Sequence, residues 1–350
     1  MTKTGPNDPS LCGSGNKYKH CCLDRDQEIE RASRSLATEK KSDAQDLTYD
    51  AWEMLDMDRR KAKKLFWKAI ELNPDLADAY NGLACVARES GNLQSAEQFY
   101  RIAYEKAKAF LGTKAPGAFS WWGELNTHPY MKARHGLGLV LLATGRYDEA
   151  IAEFKELLER NPNDNQGIRY LVAPIYLAKG QIKDALEEFR GYEIHYKSDM
   201  PDPHYLLSWG LALYLDRQYE KAAIKFRATF FANPYLISVL LGKKPKMLPI
   251  WHSCNLAEPD YALDYLKEWP MLWKNKEGAY NFLRFVWEDP EMQSDRSEWV
   301  EHWSKLKELE NVSQRRRIID LSNLLERKAP SHQFSKRINQ FLVQNNIYIQ

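Results

Sequence analysis

The chain has 350 residues, with 50 Lys and Arg against 48 Asp and Glu. That near balance, a net charge of +2, excludes both a strongly basic polyanion binder and an acidic tail. No stretch approaches the run of about 18 apolar residues that a membrane helix needs, and the N-terminus lacks an apolar leader, so the expectation is a soluble, cytoplasmic protein with no membrane span. Of the five cysteines three are clustered, while Cys85 and Cys254 stand alone, which argues against a disulfide framework.

Residues 5–23, GPNDPSLCGSGNKYKHCCL, place Cys12, Cys21 and Cys22 around a Gly13-Ser14-Gly15 turn and the basic run Asn16-Lys17-Tyr18-Lys19-His20. A segment this short cannot bury enough apolar surface to fold alone, so a metal is the natural organiser. The spacing resembles the SEC-C motif, carried on the matching residues Asn7, Pro9, Cys12, Gly13, Ser14, Gly15, Lys17, Tyr18, Lys19, Cys21 and Cys22. Ser10 stands where the motif has its first cysteine. The resemblance implies Zn²⁺ on Cys12, Cys21 and Cys22 with an incomplete ligand set, because a serine hydroxyl keeps its proton and is a poor zinc donor. The fourth position is open to water, Asp8, His20 or a partner's side chain; alternatively the stretch persists without metal as a basic, turn-rich peptide. The resemblance also implies that Lys17, Tyr18, Lys19 and His20 dock a partner, a targeting chaperone or the ribosome.

A charged linker or helix over 24–45 leads into a repeating region. Ala followed four residues later by an aromatic recurs as Ala62/Phe66, Ala96/Tyr100, Ala150/Phe154, Ala185/Phe189 and Ala222/Phe226. Twelve residues after the alanine come Pro74, Pro162 and Pro234, each preceded by Asn. Twelve residues before it stand the small residues Ala84, Gly138, Ala173 and Gly210, where two helices must touch closely. Gly91, Gly145 and Gly180 are placed to end first helices in the left-handed conformation. The period near 34 resembles that of the tetratricopeptide repeat and predicts five helix pairs over 46–235. A 20-residue insertion near 108–128 carries Trp121-Trp122, expected to cover a neighbouring groove more than to bind.

Such an array exposes a concave wall made by first helices. Reading the wall positions gives Asn81, Arg88, His135, Leu139, Tyr170, Leu207 and Tyr214 as candidates for holding a polypeptide client. The wall lacks the amide and cation pattern that some family members use to clamp a C-terminal carboxylate. It is either open to a hydrophobic client helix or filled by the C-terminal region.

Residues 236–350 leave the repeat pattern. The run 231–251 resembles a segment of the suppressor-of-tumorigenicity repeat family and carries Lys243, Lys244 and Lys246. Helices are expected near 259–269, 276–287, 295–325 and 332–345, with Arg315-Arg316-Arg317 as a solvated face. No nucleotide-binding, nucleophile-elbow or two-histidine metal motif is present, and His252 beside Cys254 is expected to be structural. The sequence therefore predicts an all-α protein: a small zinc-knuckle-like module, a tetratricopeptide superhelix and a helical C-terminal region. Its expected function is a non-enzymatic adaptor or chaperone-like scaffold. The alternatives are a ribosome- or nucleic-acid-associated factor, or an enzyme with a site assembled within 236–350.

Overall fold

The computed structural model describes residues 4–112, 120–196, 202–252 and 254–347. Among these residues it contains seventeen α-helices and no strand. Two compact units divide the chain, Met1–Asn165 and Gln166–Gln350.

In the first unit a compact N-terminal turn, closed by a bridge between Pro9 and Lys17, feeds directly into helix α1 (Leu23–Met54). Of the linker or helix expected over 24–45, residues 24–43 are a helical part of α1 that is almost wholly exposed because nearly every position is polar. From Ala44 onward the same helix turns inward: Ala44 and Ala51 join a core with residues of α2 (Arg59–Leu72), and Thr48 is buried between them in sequence. Then follow α3 (Ala77–Glu89), α4 (Leu93–Leu111), α5 (His128–Ala143) and α6 (Tyr147–Arg160). Asp78, 7% exposed, ties three of these helices together. It accepts hydrogen bonds from Trp52 Nε1 on α1 at 3.0 Å and from Lys132 Nζ on α5 at 3.1 Å.

The second unit begins with α7 (Arg169–Ala178), α8 (Ile182–His195), α9 (Pro203–Leu215) and α10 (Tyr219–Ala232). Beyond the repeats come α11 (Leu236–Leu240), α12 (Pro259–Glu268), α13 (Pro270–Trp273), α14 (Glu277–Glu288), α15 (Pro290–Glu308), α16 (Val312–Arg327) and α17 (His332–Gln344).

The turns inside the second to fifth helix pairs close the same way, whereas in the first, between α1 and α2, the Asp58 N–H donates four residues back to the Met54 carbonyl at 2.8 Å. The backbone N–H of Asn92, Arg146, Gln181 and Gln218 each donates to the carbonyl five residues back, at 2.9 Å. This geometry needs a left-handed residue just before the donor. Gly91, Gly145 and Gly180 supply it at φ near 75–77°, whereas the last turn uses Arg217 at φ 62°.

The aromatic of every pair is a knob. Phe66, Phe154, Phe189 and Phe226 are fully buried, each contributing about 2–3 kcal/mol of apolar transfer. The sockets are backbone surfaces too tight for a side chain. A Cβ on Gly138 would lie 2.4 Å from the Phe154 ring, and one on Gly210 2.4 Å from Phe226, as the spacing twelve residues before the alanine predicts. Gly82 and Gly136 form a second class of socket. Their Cβ atoms would fall 2.1 Å from Phe66 and Tyr100, the aromatics of the preceding pair.

The C-terminal helices depart from expectation chiefly in one element, besides the short unexpected helices α11 and α13. The single helix expected over 295–325 is two, α15 and α16. It breaks at Leu309–Asn311, where Asn311 caps the new helix by accepting from the Gln314 N–H at 3.0 Å. The start also moves to Asp289-Pro290, with Asp289 accepting from the Glu291 N–H at 2.9 Å. The tryptophans are core: Trp269, Trp273, Trp287 and Trp299 are buried, and Trp303 stacks on Trp299 at 5.0 Å.

Candidate functional site

The three module cysteines converge. Cys12, Cys21 and Cys22 bring their Sγ atoms within 4.8 Å of one another, and among the described residues no His, Asp or Glu joins them. His20 is exposed, and Asp8 turns away to accept from the Gly5 N–H at 2.6 Å. Ser10 takes the place of a fourth ligand. It is buried, donates to Cys22 Sγ at 3.1 Å and lies 3.3 Å from Cys12 Sγ. Ser14 Oγ sits 3.1 Å from Cys21 Sγ. Hydrogen bonds from Ser10 and then Ser14 lower the Cys12 thiol to about 6, favouring the thiolate that metals bind. This donor set fits a zinc ion held by three sulfurs, with the fourth position at or beside Ser10.

The remaining module residues form an outward face. Lys17, Lys19 and His20 are exposed. Tyr18 is half-buried, and its hydroxyl donates to Asp26 on α1 at 3.0 Å, which raises the phenol above its ordinary range. Tyr18 thus anchors the module to α1 and offers only part of its ring outward.

The groove candidates separate into two kinds. Asn81 is fully buried and donates to the Pro129 carbonyl at 2.8 Å, so its amide belongs to helix packing. Leu207 is likewise fully buried. Tyr214 packs its ring on Phe282 of α14 at 5.2 Å and on Tyr219 at 5.5 Å, so the C-terminal region covers the last pair at this position. Arg88, His135, Leu139 and Tyr170 remain half-exposed. Burial, and then the charge of Arg88, lower His135 to about 4, so its imidazole is neutral near pH 7. Part of the insertion lies outside the described residues. Of its tryptophans, Trp121 is buried against Tyr130 at 5.2 Å and under the Arg160 guanidinium at 4.7 Å. Trp122 stacks on His128 at 5.0 Å and stays 45% exposed.

Two other features were not readable from spacing. Arg227 on α10 and Asp295 on α15 are both buried and paired at 2.9 Å. Lys328 Nζ reaches the other carboxylate oxygen at 2.8 Å, and Arg227 also donates to the Leu325, Glu326 and Lys328 carbonyls. This knot fastens the C-terminal helices to the last repeat. The second feature corrects the solvated reading of Arg315. It donates to the Leu306 and Leu309 carbonyls and lies 4.8 Å over the Trp251 ring, while Arg316 and Arg317 remain exposed. His252 pairs with the Tyr235 hydroxyl at 2.8 Å, a structural contact.

Two clefts open on the second unit. One, of about 610 Å³ between α8, α9 and α10, holds both signs of charge: Lys225 Nζ lies 3.3 Å over Trp209 and 2.8 Å from Glu193. The other, of about 490 Å³, is lined by Lys243, Lys244, Lys246 and Arg296 over an apolar floor. No helix among the described residues is long and apolar enough to cross a membrane.

Comparison with known proteins agrees with this anatomy. Tetratricopeptide repeat family models match residues 65–98 and 141–209, and the SEC-C motif model matches residues 7–24. No curated protein matches the chain. Among solved structures, YrrB, described as a tetratricopeptide protein with an unusual peptide-binding site, is 20% identical at a TM-score of 0.43. That alignment covers 59% of this chain and 95% of YrrB. The chain thus carries tetratricopeptide repeats, matched over 65–98 and 141–209, and an N-terminal SEC-C motif, and its described residues are all-α.

Proposed function

We propose that the protein is a non-enzymatic interaction scaffold of the cytoplasm, whose repeats hold a polypeptide client while the cysteine module binds zinc and docks a second partner. The observation that carries the reading is the division of labour among side chains. Alanines, glycines and aromatics at the repeat positions are consumed by packing, which leaves Arg88, His135 and Leu139 part-exposed on first helices of the first unit and, separately, Tyr170 on a first helix of the second. Within the first unit the mixed apolar and cationic set Arg88, His135 and Leu139 suits a peptide segment. The module adds an exposed face with two cations, Lys17 and Lys19, beside His20 and the thiol cluster. Because Arg315 is spent on helix ends, the nucleic-acid alternative loses part of its densest basic run.

The test uses affinity capture from lysate with three forms of the chain: intact, lacking residues 1–24, and carrying Arg88→Glu with Leu139→Glu. A partner lost only on truncation supports module docking, and one lost only in the double variant supports the groove. Identical partners for all three forms would refute both assignments. Zinc is read separately by chelator competition, with one equivalent expected for the intact chain and its loss expected in Cys12→Ser and Cys22→Ser.

A further inference from the structure

The cleft between α10, the 233–248 segment and α15 is chemically one-sided. Its rim holds Lys243, Lys244 and Lys246, all exposed, with Arg296 half-buried behind them. No lining residue is a carboxylate, and no ion pair engages these four cations among the described residues. The contrast with the α8–α10 cleft is informative, since there Lys225 has Glu193. Arg296 lies 3.4 Å over Trp287 and donates to the Trp287 carbonyl at 3.0 Å, so its position is fixed while its charge lacks an anion. Burial lowers its guanidinium to about 10, a cost that an incoming carboxylate offsets. The floor beneath is apolar, formed by Phe230, Leu248 and Val300.

We propose that this cleft is a docking site for an acidic peptide, with carboxylates against Lys243, Lys244, Lys246 and Arg296 and an apolar side chain in the floor. Charge complementarity selects the class of occupant. The aromatics favour peptide over nucleic acid: Phe230, Tyr235 and Trp287 are all buried, and Arg296 covers Trp287, so no free ring face is offered for base stacking. None of these residues is a groove position, so the site stands independently of the client-binding reading above.

The probe is a short fluorescein-labelled peptide of Glu and Leu, titrated against the full chain by anisotropy. Saturable binding is expected, weakening about tenfold in the Lys243→Glu, Lys244→Glu, Lys246→Glu triple variant. Binding should also weaken when Gln replaces Glu, or Ser replaces Leu, in the peptide. Thermal melting checks that the variant folds, and the milder triple Lys→Gln form serves if it does not. No saturable binding, equal affinity for the folded variants, or a single-stranded oligonucleotide that displaces the peptide at lower concentration would each overturn the proposal.

Discussion

At the scale of single residues, Ser10 decides the character of the module. Its hydroxyl stands between Cys12 and Cys22 at 3.3 and 3.1 Å, where the motif elsewhere places a thiolate. Replacing that weak donor with a fourth sulfur completes a closed tetrahedral set. Ser10→Cys is therefore expected to tighten zinc binding by roughly tenfold or more, read by competition with a chromophoric chelator. Unchanged affinity would mean that the fourth ligand comes from elsewhere. The substitution was legible in sequence, but its consequence was not, because only folding shows that Ser10 rather than Asp8 or His20 faces the sulfurs. His135 gives a pH-dependent test on the same scale. Its folded value near 4 lies below the unfolded value of about 6.5, so the unfolded chain binds the extra proton across that interval. The stability from the neutral imidazole is present above about pH 6.5 and is lost as pH falls towards 4, by up to about 3 kcal/mol. Denaturant titrations at pH 7 and pH 5 should show a smaller difference in His135→Gln than in the parent. An equal difference would show that His135 does not control this window.

At the scale of elements, the helix pairs are held by knobs in backbone sockets, and the cost of filling a socket is large. Gly82→Ala would set a Cβ 2.1 Å from the Phe66 ring inside a closed core and is expected to destabilise by about 2 kcal/mol. A thermal melt checks this, and Phe66→Leu in the same chain should restore part of the loss. The fifth pair offers the opposite change. Arg217 holds φ 62° where the second, third and fourth pairs use glycine, so Arg217→Gly is expected to stabilise by roughly 0.5–1 kcal/mol. The alanine–aromatic rhythm made the pairs legible because each knob needs the same two residue types at fixed helical spacing. Gly82 and Gly136 escaped that rhythm because they serve the aromatic of the preceding pair, a contact across repeats that no single unit encodes. The Arg227–Asp295 knot escaped it for a stronger reason. Its partners lie 68 residues apart on α10 and α15, and neither stands out from the other charges on amphipathic helices. Since Asp295→Ala would leave Arg227 buried without its counter-ion, it is expected to cost about 3–5 kcal/mol. Loss of far-UV signal at lower denaturant, with α15 and α16 exchanging amide hydrogens first, would be its signature.

At the scale of the whole molecule, the module and the repeats are stabilised by different physics, and this separates their responses. The repeats rest on apolar burial, with no cluster of metal-ligating side chains among their described residues. The segment before α1, by contrast, buries Ser10 and Cys22 but almost no large apolar side chain. Its order comes from a few turn hydrogen bonds, the Tyr18–Asp26 bond and the cysteine cluster. Ion removal should therefore act locally. Adding a strong chelator to the zinc-loaded chain is expected to leave the helical melt essentially unchanged while making Cys12 and Cys21, both exposed, react quickly with a thiol reagent. Fast reaction with an unshifted melt fits a docking module carried on an autonomous helical frame. A melt that falls with the metal would mean that α1 transmits the module's order into the first repeats. The exposed helical stretch 24–43 argues against such transmission, because it makes few contacts through which strain could pass.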